Sequence, residues 1–137
     1  MKLYHFAPAH LLKGIQKQGL VLGSLPIITE TKIDLVRPCQ WLTSDGDFNS
    51  QSWATRGLVQ YDRTAVRLKM VIPKTARGKL WNAHDLLPQI PEESRRLITD
   101  WDGSEHWYLF FGRIPPGWIR EVVWKTEKPE TIVKGGG

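Results

Sequence analysis

The sequence predicts a single α+β domain over residues 1–126, with mixed or antiparallel sheets and a few short helices, followed by a flexible tail over residues 127–137. Three observations predict it. With 137 residues and 41% hydrophobic content, the chain can bury one core but is short for two. Stretches of period-two alternation outnumber stretches of helical spacing. Gly, Pro and Asp punctuate the chain at intervals that suit short elements.

Residues 3–6 alternate, with Leu3 and His5 on one side and Tyr4 and Phe6 on the other, and read as a first strand. Pro8 suits a first helical turn. Leu11, Leu12 and Ile15 recur at helical spacing until Gly19 supplies the stop, so a helix is expected over 8–18. From 23 to 38, Gly23, Ser24 and Pro26 and the lack of a sustained period predict a long connection with at most a short strand. Residues 40–43 read as a strand ending in the turn chemistry of Ser44-Asp45-Gly46-Asp47, with one helical turn over 48–53. The clearest strand is 64–72, where Val66, Leu68, Met70 and Ile72 share a face; Leu80 and Trp81 suggest a short edge strand. Acids at Glu92 and Glu93, then Leu97, Ile98 and Trp101, predict a helix over 92–101. Residues 106–111 and 118–124 complete the strands, and the Pro115-Pro116 turn between them is expected to set their register.

The formal charge is +5 and the pI about 9.5, which favours an anionic partner, although Lys and Arg are scattered with no run of five. Seven tryptophans are several times ordinary usage, and most are expected in the core. No apolar run approaches the ~18 residues of a membrane span. The start lacks a signal peptide's apolar stretch, which points to the cytoplasm and away from a membrane. Cys39, the single cysteine, reads as a small buried hydrophobe, with nucleophilic chemistry as the alternative. The histidines have no metal-site spacing, and phosphate-loop, dinucleotide and nucleophile-elbow signatures are missing, so no metal is expected.

A pattern spread over the chain remains. The opening Leu3-Tyr4-His5-Phe6, a helix, and then Ile15-x-x-x-Gly19-Leu20 resemble the first strand and helix of ADP-ribosyltransferase-fold proteins of the diphtheria-toxin and PARP-like type. Gln40-Trp41-Leu42-Thr43-Ser44 looks like that family's middle strand, which ends in small hydroxyl residues, and residues 48–53 fall where an aromatic-bearing helix follows it. Ser104-Glu105-His106-Trp107-Tyr108 is similar to the strand whose leading Glu is catalytic.

The resemblance implies an ADP-ribosyltransferase-like fold and NAD as substrate. Cleavage between nicotinamide and ribose passes through an oxocarbenium-like state, which a carboxylate near the ribose stabilises, and Glu105 would take that role. His5 would hydrogen-bond a ribose hydroxyl, Thr43 and Ser44 would line the nucleotide site, and Trp53, Phe48 or Tyr61 would stack on nicotinamide. Basic loop side chains would meet the pyrophosphate. His5 and Glu105 are then expected to face one cleft. The chain departs from the family at Gly103, where members that modify proteins carry an acid or Gln, and in having no Tyr at the expected place after Thr43-Ser44, where Phe48 or Trp53 stands.

Each residue also has a plainer reading: His5 as a hydrogen-bonded strand residue, Glu105 as a solvated acid, Thr43 and Ser44 as turn residues, the aromatics as core. Three functions follow. One is an NAD-dependent transferase acting on a nucleic acid, small molecule or protein. The second is an inactive basic protein, such as a phage or toxin-system accessory, that binds a nucleotide or nucleic acid. The third is an inhibitor or adaptor that docks on a protein partner.

Overall fold

The computed structural model describes residues 1–55 and 61–126; the expected tail at 127–137 lies outside them. In order, the chain forms β1 (Lys2–Ala7), α1 (Leu12–Gln18), β2 (Leu25–Ile28), β3 (Ile33–Val36), β4 (Gln40–Thr43) and β5 (Val66–Val71). β6 (Leu80–Asn82), α2 (Ala83–Leu86), α3 (Glu92–Thr99), β7 (Trp107–Phe110) and β8 (Ile119–Trp124) follow. Six strands build one sheet in the order β6-β7-β4-β1-β5-β8, and β2 and β3 form a separate hairpin. Every pairing among these strands is antiparallel, so the mixed alternative does not apply.

β1 is central because its alternation suits burial on both faces. Leu3 and Ala7 are buried on one side with Leu42, Val66, Leu68, Met70 and Phe110. That face is covered by α1 through Leu12 and Ile15, by Ala76 of the 3-10 turn Lys74–Lys79, and by Ile114 and Trp118 near the 3-10 turn Pro116–Trp118. The other face carries Leu109, packed with Leu25, Cys39, Ala83, Leu86, Ile90 and Ile98 under α2, α3 and β2. α1 ends at Gly19, whose φ of 81° only glycine adopts readily, and Leu20 then pairs with Ile114 in a two-bond bridge.

The ladder is uneven. β1 pairs with β5 over six residues, from Lys2↔Val71 to Ala7↔Val66, but meets β4 at one register pair, Tyr4↔Thr43. β4 continues normally into β7, from Gln40↔Phe110 to Thr43↔Trp107.

Three expectations are corrected. The connection over 23–38 holds a full hairpin rather than at most a short strand, since Thr29 and Lys32 close its turn. Pro115-Pro116 does not set the register of two paired strands: β7 lies between β6 and β4, whereas β8 pairs with β5 at the far edge. Its turn instead starts the crossover. None of the seven tryptophans is in the buried core.

Candidate functional site

The short β1–β4 contact leaves a cleft beside it. Its volume is about 440 Å³, within the range of small-molecule sites. β1 supplies Tyr4, His5 and Phe6, β4 supplies Trp41, Leu42 and Thr43, and β7 supplies Trp107. Pro26 of β2, Leu97 of α3 and the following Trp101 form the covering wall, and the loop after β4 contributes Gln51 and Trp53. Four of the seven tryptophans therefore line one cavity, which accounts for their excess better than a core role.

The aromatic wall is fixed by its polar edges. The Trp41 indole N–H donates to the Ser24 carbonyl at 2.8 Å, and its ring meets Trp107 edge-on at 5.8 Å. Trp53 donates to the Gln51 side-chain oxygen at 3.3 Å. Gln51 is itself buried, and its amide donates to the carbonyls of Asp45 and Asp47, so one side chain ties the loop together and aims Trp53. Behind the cleft, Phe48 packs edge-on against Phe6 at 5.3 Å, and the Arg67 guanidinium lies over the rings of Tyr4 and Phe48. Arg67 also donates to the Gly46 carbonyl and pairs with Glu121.

His5 is the histidine of the cleft lining. Its Nδ1 lies 2.8 Å from the Trp41 carbonyl oxygen, which can only accept, so Nδ1 carries the proton. Burial pushes the imidazole below its ordinary pKa and outweighs the upward pull of the carbonyl. The ring is therefore neutral near pH 7 and keeps Nε2 as an acceptor. No Lys or Arg is among the described lining residues, so the aromatic walls suit a flat ring, neutral or cationic, beside a hydroxyl-bearing group.

The site residues expected from the sequence divide into two groups. His5, Thr43 and Trp53 come together in the cleft. Phe48 stands one layer behind, against Phe6. Ser44 sits beyond the end of β4, where its amide donates to the His106 carbonyl at 2.9 Å. Glu105 belongs to the 3-10 turn Ser104–His106 that leads into β7; its carboxylate is exposed and 3.7 Å from His106 Nε2, outside the cleft lining. Tyr61 is exposed against His10, away from the cleft. Thr43 is buried, and its hydroxyl accepts from the Asp45 amide as a turn residue does.

Sequence reasoning missed Tyr4, Phe6, Trp41, Gln51, Trp101 and Trp107. The signal available was the tryptophan excess itself. Cys39 is fully buried and its thiol is pushed up to about 12 by desolvation, which leaves it protonated and unsuited to nucleophilic attack. Among the described residues, no group of three His, Cys, Asp or Glu side chains could hold a metal ion, and no helix is long and apolar enough to cross a membrane. Compared with known proteins, the chain gives no significant match to a family model, a curated sequence or a solved structure.

Proposed function

We propose that the chain is an ADP-ribosyltransferase-like protein that takes the nicotinamide–ribose end of NAD into the aromatic cleft. The observation that carries this reading is His5: a neutral imidazole with a fixed tautomer, its acceptor nitrogen uncommitted among the described residues, in a cavity walled by tryptophan. That arrangement suits a ribose hydroxyl donating to Nε2 while the nicotinamide ring, a pyridinium cation in NAD, stacks on the electron-rich face of Trp53 or Trp107. β1 with His5 and β7 preceded by Glu105 flank the same strand, β4, and their closeness in one sheet supports the reading.

In the reaction, the bond between ribose C1′ and the nicotinamide nitrogen breaks and its electron pair leaves with nicotinamide. An acceptor oxygen or nitrogen attacks the oxocarbenium-like centre and gives up its proton. Glu105 would offset the developing positive charge and receive that proton. It stands two residues before Trp107, at the solvent side, where an acceptor can approach. A second reading, ligand binding without turnover, is favoured by the position of the Glu105 carboxylate outside the cleft lining.

The test is NAD titration followed by tryptophan fluorescence, with released nicotinamide measured separately. Saturable quenching with release is expected, and Glu105→Gln should abolish release while keeping the quench. Quenching without release under any acceptor selects the second reading, and no quenching by NAD overturns both.

A further inference from the structure

The positive charge of this protein is concentrated on one face. Three segments cover the α1 side of the sheet: residues 8–20, 72–80 and 111–118. They contain Lys13, Lys17, Lys74, Arg77, Lys79 and Arg113, and no Asp or Glu. Taking those six from the 19 Lys and Arg leaves 13 against all 14 Asp and Glu, so the rest of the chain carries a balance of −1. All six are exposed, and none belongs to an ion pair found among the described residues.

The segments are joined in space. Leu20 and Ile114 exchange backbone hydrogen bonds at 2.9 Å, α1 packs on the turn Pro116–Trp118, and the Phe111 amide donates to the Lys79 carbonyl at 2.8 Å. The charge scattered in sequence is thus gathered onto one surface.

The glycines give an independent sign. Of the eight described, Gly19 and Gly103 have positive φ, and at Gly23, Gly46 and Gly112 a side chain would strike neighbouring atoms. Only Gly14, Gly78 and Gly117 have neither reason: an added Cβ would meet nothing within 4 Å. One lies in each of the three basic segments, and Gly14 sits inside a helix, where glycine is the least favourable residue after proline. Backbone bared beside a cation is what a close-approaching phosphate requires.

We propose that this face binds the sugar-phosphate backbone of a nucleic acid, with the three glycines admitting the strand to backbone amides and the six cations neutralising its phosphates. The exposed positions of α1 are Lys13, Gly14, Gln16, Lys17 and Gln18, which offer donors to phosphate and sugar, and Leu11 is the single large apolar side chain exposed in the three segments, against the apolar face a lipid surface requires. The proposal stands apart from the reading of the cleft, which is covered by α3 and β2.

Fluorescence anisotropy with labelled single-stranded and duplex DNA of about 20 nucleotides, over a range of salt, tests it. Binding should weaken steeply with salt, and Lys17→Glu/Lys79→Glu/Arg113→Glu should cost at least ~100-fold and flatten the log–log slope by about 3. The charge-matched control Lys32→Glu/Arg37→Glu/Arg96→Glu, in the β2–β3 turn, at the exit of β3 and on α3, should stay within about threefold. Gly14→Ala/Gly78→Ala/Gly117→Ala, with charge unchanged, should keep or raise the urea midpoint and weaken binding about tenfold. The proposal is overturned by absence of binding to either DNA at about 50 mM salt, by equal loss in the control, by unchanged affinity in the glycine variant, or by preference for phosphatidylserine vesicles over DNA.

Discussion

Gly19→Ala tests whether the covering layer is held by the geometry described. Gly19 has φ 81° and ψ −164°, a region open essentially to glycine alone, so an alanine there costs roughly 1–3 kcal/mol in backbone strain. Its Cβ would also fall on the Ile114 carbonyl, the acceptor of the Leu20 amide. Relief requires the two segments to part, which breaks the paired Leu20–Ile114 bonds at about 1 kcal/mol each. The sum is about 3–5 kcal/mol, a large fraction of the roughly 5–15 kcal/mol of a typical domain. Gly14→Ala is the control: in the same helix, with open space around it and ordinary φ, it should gain about 0.5–1 kcal/mol. Urea unfolding followed by far-UV circular dichroism measures both. A loss below about 1 kcal/mol in Gly19→Ala, or a loss of similar size in Gly14→Ala, refutes the reasoning.

Two further outcomes follow from the cleft. Because folding lowers the His5 pKa from an unfolded value near 6.5, the neutral ring contributes stability that is complete above about pH 6.5 and lost as pH falls through the folded value. The urea midpoint of the parent should therefore drop more between pH 7 and pH 5 than that of His5→Gln, and parallel profiles would contradict the assignment. Trp53→Ala should weaken NAD binding by about 1–3 kcal/mol, roughly 5–150-fold in Kd, with little change in the urea midpoint because the ring is half-buried. Calorimetric titration of the variant checks it, and an unchanged Kd removes Trp53 from the ligand's surface.

Strands whose two faces meet different surroundings were legible in the sequence. β4 was read to the residue, and β1, β5, β7 and β8 to within a residue or two, because their alternation records which side is buried. The β2–β3 hairpin escaped because all four β3 residues are exposed, so no alternation marks it. Strand neighbours escaped for a different reason: pairing across the sheet is not local, and the short turn at Pro115-Pro116 says nothing of a strand that crosses to the far edge. Within the cleft, His5, Thr43 and Trp53 were legible as chemistry-bearing residues at strand and turn ends. Tyr4, Phe6 and Trp107 read equally well as core side chains, since a cavity wall and a core face share one pattern. Glu105 was placed by its order in the chain, which fixes its strand but not the direction of its carboxylate.

The single register pair between β1 and β4 makes the sheet two leaves on a spine: β1-β5-β8 on one side, β6-β7-β4 on the other. Rotation about Tyr4 and Thr43 would change the mouth of the cavity while every other ladder bond within each leaf survives. Two side chains latch the leaves: His5 holds the Trp41 carbonyl, and Arg67 of β5 reaches the Gly46 carbonyl beyond β4. Stiffness at this point thus depends on side chains that can be exchanged or occupied as well as on the backbone that fixes the rest of the sheet.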